Sequence, residues 1–238
     1  MISTHPLKPR ISVMPATLIL VEGTDGTGKS QFISHLSSKL TPLESVTDVH
    51  TKAFPTTNPP VHVKQSQTSG ILFFLDDFND AFRDLSCSRN DLVVCDRSFL
   101  STLVYQGFKG NHSLTKGRFY ESIMTLGENT FFGHTDFDKV HMVLLTCSSE
   151  TAQNRIQQRA SDKDSIDSLE GHEQKMRIEA LAMRYQIVVS DLKERWNRSL
   201  PFRPDPVENT EPHFHKISTE KETSENLAES FVASTMGK

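Results

Sequence analysis

The sequence predicts an α/β fold in which helices connect the strands of a parallel sheet. Short apolar runs alternate along the chain with longer segments whose apolar residues recur at helical spacing. The first apolar run leads into the glycine-rich segment VEGTDGTGKSQF at residues 21–32. Strands and helices that alternate in this way form a parallel sheet with right-handed crossovers. The 238 residues are enough for one such domain with a substantial core.

Five segments have the character of strands: residues 16–23, 45–54, 91–96, 139–147 and 213–218. The first helix follows the glycine-rich segment, with Phe32, Ile33, Leu36 and Leu40 on one face, and ends before Pro42. Further helices are predicted around residues 71–85, from 150 onward and over 181–196. One or two more, including residues 118–132, are predicted between the third and fourth strands. Thr219 and Glu222 form a capping-box pattern that predicts the start of a last helix.

Composition favours a soluble protein of the cytoplasm. The net charge of −4 gives no overall basic field, so tight non-specific binding of nucleic acid is not expected. Cys87, Cys95 and Cys147 are odd in number and lack CxxC spacing, which suits a reducing compartment. No apolar run approaches the about 18 residues that a membrane span requires. Residues 1–15 are predicted to be a flexible arm and residues 16–238 one domain.

The glycine-rich segment has the spacing of a phosphate-binding loop, Gly23-x4-Gly28-Lys29-Ser30. It follows a predicted strand and opens a predicted helix, which is the context that this motif requires. Its backbone N–H groups can face phosphates, Lys29 can reach the β- and γ-phosphates, and Ser30 can ligate Mg²⁺. The predicted ATP-binding residues are Gly23, Thr24, Asp25, Gly26, Thr27, Gly28, Lys29, Ser30 and Gln31.

Three further residues suit the donor side of a phosphoryl transfer. Asp96 ends an apolar strand, where ligands gather in open parallel sheets, and its carboxylate can hold Mg²⁺ or cap a helix. Arg155 and Arg159 share one side of a helix at i and i+4. They form either a solvated basic face or a pair of lid cations that offset the charge on the transferred phosphoryl group.

With these parts placed, the chain resembles thymidylate kinase, within the nucleoside monophosphate kinase group of P-loop proteins. The segments EGTDGTGKS, DRSFLSTLVYQG and VLLTCSSETAQNRIQQR carry the resemblance, which extends over roughly residues 17–196. The resemblance implies a P-loop kinase fold, with a five-stranded parallel sheet flanked by helices on both faces and a lid at about 155–172. It also implies ATP and Mg²⁺, a pyrimidine deoxynucleotide as acceptor, and a homodimer as the common assembly.

The resemblance also implies roles for individual residues. Asp25 would lie near the acceptor sugar and phosphate, Arg97 would bind that phosphate, and Phe73 would stack on the base. Tyr105 would pack where a 2′-hydroxyl would project, with Gln106 close by, although core packing explains Phe73 and Tyr105 equally well. The predicted catalytic residues are Lys29, Arg97, Arg155 and Arg159.

The acceptor side departs from the family pattern at four places. Thr57 stands where an arginine usually grips the acceptor phosphate, and Asp77 where an arginine usually contacts the thymine edge. Ser98 replaces an aromatic residue, and Asp164-Ser165 replaces the Asp-Arg pair of the lid, with Lys163 as a partial substitute. Neither threonine nor aspartate can replace a bidentate guanidinium, so the acceptor pocket is predicted to be rebuilt, with Asp77 binding a hydrogen-bond donor of the acceptor.

Three functions are compatible with this pattern. The first is an ATP-dependent kinase that phosphorylates dTMP or a 5-substituted dUMP. The second is a P-loop kinase that phosphorylates the hydroxyl of 5-hydroxymethyluracil in DNA, with Asp77 or Asp25 as general base. The third is a nucleotide-dependent switch, which is disfavoured because the sequence has no NKxD-like motif and does have lid-like arginines.

Overall fold

The computed structural model describes residues 16–57, 59–60, 67–83, 91–110, 112–132, 137–162, 175–199 and 212–236. The predicted arm at residues 1–15, Cys87, and the lid residues Lys163, Asp164 and Ser165 lie outside these ranges. Of the predicted lid, only the part up to residue 162 is described.

A five-stranded, all-parallel sheet forms the centre of the molecule, as predicted. The strands are β1 Ala16–Glu22, β2 Val49–Ala53, β3 Leu92–Asp96, β4 Phe137–Thr146 and β5 His213–Ser218. Their order across the sheet is β2-β3-β1-β4-β5. In the register of β1, Val21 pairs with Asp96 and Glu22 pairs with Leu144, so the carboxyl ends of the three central strands meet at one edge.

Seven helices connect and cover the strands in the described ranges. They are α1 Lys29–Leu40, α2 Gln67–Arg83, α3 Phe99–Gln106, α4 Tyr120–Phe132, α5 Ser149–Asp162, α6 Lys175–Ser199 and α7 Ser224–Thr235. Two of them, α3 and α4, occupy the interval between β3 and β4 for which one or two were predicted. None of the described helices is both long and apolar enough to cross a membrane.

Two hydrophobic layers explain why β1 is apolar at almost every position. Leu18 and Leu20 belong to the core on the side of α3, α4 and α6. Ile19 and Val21 belong to the opposite core, on the side of α1 and α7. A parallel strand that is covered on both faces buries both sets of alternating side chains, and it therefore has no polar face. The sheet thus holds the loop that follows β1 on a rigid, fully buried strand.

The predicted capping box of the last helix is wrong. The N-cap of α7 is Thr223, whose side chain accepts a hydrogen bond from the backbone N–H of Asn226. Thr219 lies before the helix, where its hydroxyl accepts a hydrogen bond from Arg155. The physical reason is a tertiary contact: the Arg155 guanidinium of α5 donates to the Thr219 hydroxyl, and Thr223 caps the helix instead.

Candidate active site

The phosphate-binding loop lies between β1 and α1, as its sequence context predicts. Gly28 has a φ of +84° at the N-cap of α1, a left-handed conformation that favours glycine. Gly26 has a φ of +81°, and a Cβ there would lie 2.5 Å from the carbonyl oxygen of Ala152 in α5. The loop therefore has both the backbone conformation and the close neighbour that require glycine.

The Lys29 side chain is folded back onto its own loop. Its Nζ donates hydrogen bonds to the carbonyl oxygens of Gly23 and Thr24, each at 2.8 Å. Burial lowers the pKa of Lys29 to about 8, and the charge of Arg97 acts in the same direction. The buried ammonium is therefore held inside the loop, at the place where a polyphosphate would bring negative charge.

Ser30 and Asp96 form the candidate metal site. The Ser30 hydroxyl lies 3.5 Å from Asp96 Oδ2, although β3 and α1 are far apart in sequence. Asp96 Oδ1 is buried and accepts no hydrogen bond within the described part of the chain. A hydroxyl beside a carboxylate with an unused oxygen suits a hard cation such as Mg²⁺, which needs few protein ligands when phosphates supply the rest. The described residues contain no larger cluster of His, Cys, Asp and Glu arranged to hold a metal.

Three of the predicted acceptor-side residues come together beside the loop. Arg97 Nη2 donates to Asp25 Oδ1 at 2.5 Å, and the Tyr105 hydroxyl donates to Asp25 Oδ2 at 3.3 Å. The Arg97 guanidinium also lies 5.6 Å from the centre of the Tyr105 ring. Burial raises the pKa of Asp25, but the charges of Arg97 and Lys29 outweigh burial and leave that pKa below its ordinary value. Asp25 is thus an ionised anchor for Arg97.

The α2 side of the predicted pocket is organised differently from the expectation. Asp77 accepts hydrogen bonds from both the backbone N–H and the hydroxyl of Thr56, the former at 2.8 Å. Both carboxylate oxygens therefore hold the connection that follows β2. Phe73 is half-buried and packs edge to face on Phe74, with ring centres 5.5 Å apart. Gln106 lies against α2, within about 3 Å of where a Cβ on Gly70 would be.

The two predicted lid arginines differ in their surroundings. Arg155 donates to the Gly26 carbonyl at 3.3 Å, and to the Thr219 hydroxyl and carbonyl at 2.9 and 2.7 Å. It therefore joins α5, the phosphate loop and the segment after β5. Arg159 is exposed, and its Nε donates to the Arg155 carbonyl at 3.4 Å. Arg155 thus contacts the phosphate loop, whereas Arg159 contacts the backbone of its own helix.

A buried network behind Arg97 was missed from the sequence. Glu22, at the end of β1, accepts hydrogen bonds from the hydroxyls of Ser98, Ser101 and Tyr185. Burial raises the pKa of Glu22, although the Ser98 and Ser101 donors act to lower it. The sequence contained a signal for this network, because Glu22 ends an apolar strand just as Asp96 does.

Known proteins share this architecture. A curated thymidylate kinase from Desulfotalea psychrophila is 33% identical over 108 residues, which cover 40% of this chain and 52% of that protein. The chain thus spans about half the length of the curated relative it matches. The crystal structure of thymidylate kinase from Ehrlichia chaffeensis matches 94% of this chain and 99% of its own, with a TM-score of 0.55 and 16% identity. This chain has a thymidylate kinase-like P-loop kinase fold.

The thymidylate kinase-like fold extends to a second kind of kinase. The structure of deoxyadenosine kinase from M. mycoides with bound dCTP covers 91% of this chain and 99% of its own, with a TM-score of 0.50 and 18% identity. At such identities the structural matches show the fold alone. No family model matches the chain.

Proposed function

We propose that this chain is an ATP-dependent kinase that phosphorylates a pyrimidine deoxynucleotide, dTMP or a 5-substituted dUMP, to the diphosphate. One observation carries the proposal: Asp25 of the phosphate loop is bound directly to Arg97, so the candidate donor and acceptor groups meet at one edge of the sheet. The curated thymidylate kinase relative supports the same class of acceptor.

On the donor side, the loop N–H groups and Lys29 would bind the phosphates of ATP. Lys29 would exchange the carbonyl oxygens of Gly23 and Thr24 for phosphate oxygens, which are stronger acceptors for an ammonium group. Ser30 and Asp96 would hold Mg²⁺, which neutralises charge on the phosphates when it is bound. Arg159 would add positive charge from the end of α5.

On the acceptor side, Arg97 would bind the acceptor phosphate and Tyr105 would pack against the deoxyribose. The attacking phosphate oxygen is already ionised, so this reaction needs no strong general base. Rate acceleration would come from in-line placement of the two substrates and from positively charged groups that are already in position before the reaction. Asp25 would serve this reaction by orienting Arg97 and Tyr105, to which it is hydrogen-bonded.

A second candidate is a kinase that phosphorylates a hydroxyl, such as that of 5-hydroxymethyluracil in DNA. Arg97 is already paired with Asp25, and Asp77 stands where an arginine was expected, so positive charge for an acceptor phosphate is scarce in this pocket. A neutral hydroxyl does not need that charge. Asp25 would then be the general base, because Asp77 is engaged by Thr56. The net charge of −4 weighs against DNA as the substrate.

Transfer of a radiolabelled γ-phosphate from ATP separates these functions. We expect the label on dTMP or hydroxymethyl-dUMP, with little on hydroxymethyluracil DNA, and loss of transfer in Lys29→Ala. Lys39→Ala is the matched control, because Lys39 lies on the same helix but pairs with Glu225 and Glu229 away from the loop. Label on the DNA alone would favour the second candidate, and no label on any acceptor would refute both.

A further inference from the structure

We propose that Glu22 is a positioning residue that fixes the orientation of Arg97, acting through the hydroxyls of Ser98 and Ser101. The inference rests on the proposed function where it assigns Arg97 to the acceptor. Glu22 lies at the end of β1 and not in the phosphate-binding loop. A role for Glu22 also explains why the small hydroxyl residues Ser98 and Ser101 follow Arg97 in this chain.

The geometry connects Glu22 to Arg97 in two short steps. Glu22 Oε1 accepts from the Ser98 hydroxyl at 2.5 Å, and Oε2 accepts from the Ser101 hydroxyl at 2.8 Å. The Ser101 oxygen in turn accepts from Arg97 Nη1 at 3.4 Å. Arg97 Nη2 is bound by Asp25 at 2.5 Å. The guanidinium is therefore held from behind through Glu22 and Ser101, and from the side of the phosphate loop by Asp25.

The backbone of Arg97 needs this support. Its φ is +76°, and among the described residues it is the one non-glycine with a positive φ. A side chain in the left-handed region costs free energy and persists where the surroundings leave no alternative. The Arg97 N–H donates to the Val21 carbonyl at 2.9 Å, and the next residue, Ser98, is tied to Glu22 while capping α3 through the Leu100 N–H. Val21 and Glu22 of β1 thus hold Arg97 and Ser98, the two residues that follow β3.

A carboxylate is the group that this network requires. Ser98, Ser101 and Tyr185 all present hydroxyls to Glu22, and an ionised carboxylate accepts from all three. A glutamine has one carbonyl oxygen, so its NH₂ group would face at least one hydroxyl that now donates. If the NH₂ group faces Ser98, it disturbs the residue next to Arg97; if it faces Ser101, that hydroxyl has to redirect its proton, which alters its contact with Arg97. Glu22 is therefore expected to matter for acceptor binding more than for ATP binding.

The test uses Glu22→Gln and Ser101→Ala in the full chain. The first readout is the Arg97 Nε–H resonance in ¹H–¹⁵N spectra, assigned with Arg97→Lys, which needs no turnover. The second is the acceptor KM beside the Kd of a fluorescent ATP analogue. We expect the resonance to move in both variants and the acceptor KM to rise about tenfold, while the Kd changes less than about twofold. Tyr120→Phe, which removes a hydroxyl at the start of α4 that donates to Asp191, is the control for general loss of stability.

The outcomes separate this inference from the proposed function. An unmoved Arg97 resonance in both variants, or a loss of ATP-analogue affinity as large as the rise in acceptor KM, would overturn the positioning role. If Glu22→Gln fails to fold, Ser98→Ala takes its place, because it removes a hydroxyl that donates to Glu22 and leaves the contact between Ser101 and Arg97 in place. If the parent protein phosphorylates no acceptor, the proposed function fails, and the resonance still shows whether Glu22 orients Arg97.

Discussion

Three histidines that meet between β4 and β5 predict a protein that loses stability on mild acidification. The His141 ring is stacked on His213 with centres 5.0 Å apart, and its Nδ1 lies 3.1 Å from His215 Nε2. His141 is only 4% exposed and meets the edge of Phe231 at 6.0 Å. A protonated imidazolium at this place would be both desolvated and close to other rings that can carry positive charge.

The magnitude follows from the pKa of His141. Burial lowers it from 6.5 to about 3, and the neighbours His215, His213 and Lys139 act in the same direction. In the unfolded chain His141 takes up a proton below its ordinary pKa, whereas in the folded chain it stays neutral. Its contribution to stability is therefore complete above pH 6.5 and declines as pH falls toward 3. Between pH 7 and pH 5 the loss is about 2 kcal/mol.

Urea unfolding of the parent and of His141→Phe, each from pH 5 to pH 8, measures this contribution. The free energy of unfolding should fall more steeply with acid in the parent than in the variant. Glu22 has the opposite effect, since burial raises its pKa, but both proteins share it and it cancels in the difference. His112→Ala, at an exposed site, should keep the slope of the parent. Parallel curves for the parent and His141→Phe would refute the reasoning.

The remaining predictions concern the candidate active site. Gly26→Ala should abolish binding of a fluorescent ATP analogue while the protein stays folded by circular dichroism, because the new methyl would collide with the Ala152 backbone; retained binding would show that the loop can move away from α5. Arg155→Ala should weaken ATP binding and lower kcat, since Arg155 holds the loop, whereas Arg159→Ala should lower kcat alone; identical kinetic changes in the two would contradict this. Tyr105→Ala should admit ribonucleotide acceptors in a competition assay, and undiminished rejection would place the exclusion at another residue.

Reasoning from strand ends predicted that residues of the candidate site would lie close together. Asp96 ends a parallel strand and Ser30 follows the loop of another, and the two meet because adjacent parallel strands end at the same edge. The family resemblance placed Asp25, Arg97 and Tyr105 on the acceptor side, and these three contact one another. Topology was sufficient to bring Ser30 and Asp96 together, whereas the grouping of the other three residues came from the resemblance.

The misses share a physical cause, which is the choice of hydrogen-bond partner in three dimensions. Thr219 fits a capping pattern but is used by Arg155, from another helix. Asp77 accepts hydrogen bonds from Thr56 through both of its oxygens, a contact that the sequence did not predict. Glu22 was overlooked because its partners, such as Tyr185 in α6, are distant in sequence. The sequence shows that a polar side chain needs hydrogen-bond partners, but the three-dimensional fold determines which residues these partners are.

The place of β1 at the centre of the sheet has a consequence for how the protein is made. Its two neighbours, β3 and β4, come from residues 92–96 and 137–146, so both edges of an apolar strand stay open while much of the chain is synthesised. Such long-range parallel pairing is slow and leaves the strand exposed to other chains. A nascent chain that stalls before β4 would carry the complete phosphate-loop motif with one edge of its strand unpaired. Mutations that weaken β4 are therefore expected to promote aggregation of the newly made chain as well as to destabilise the folded protein.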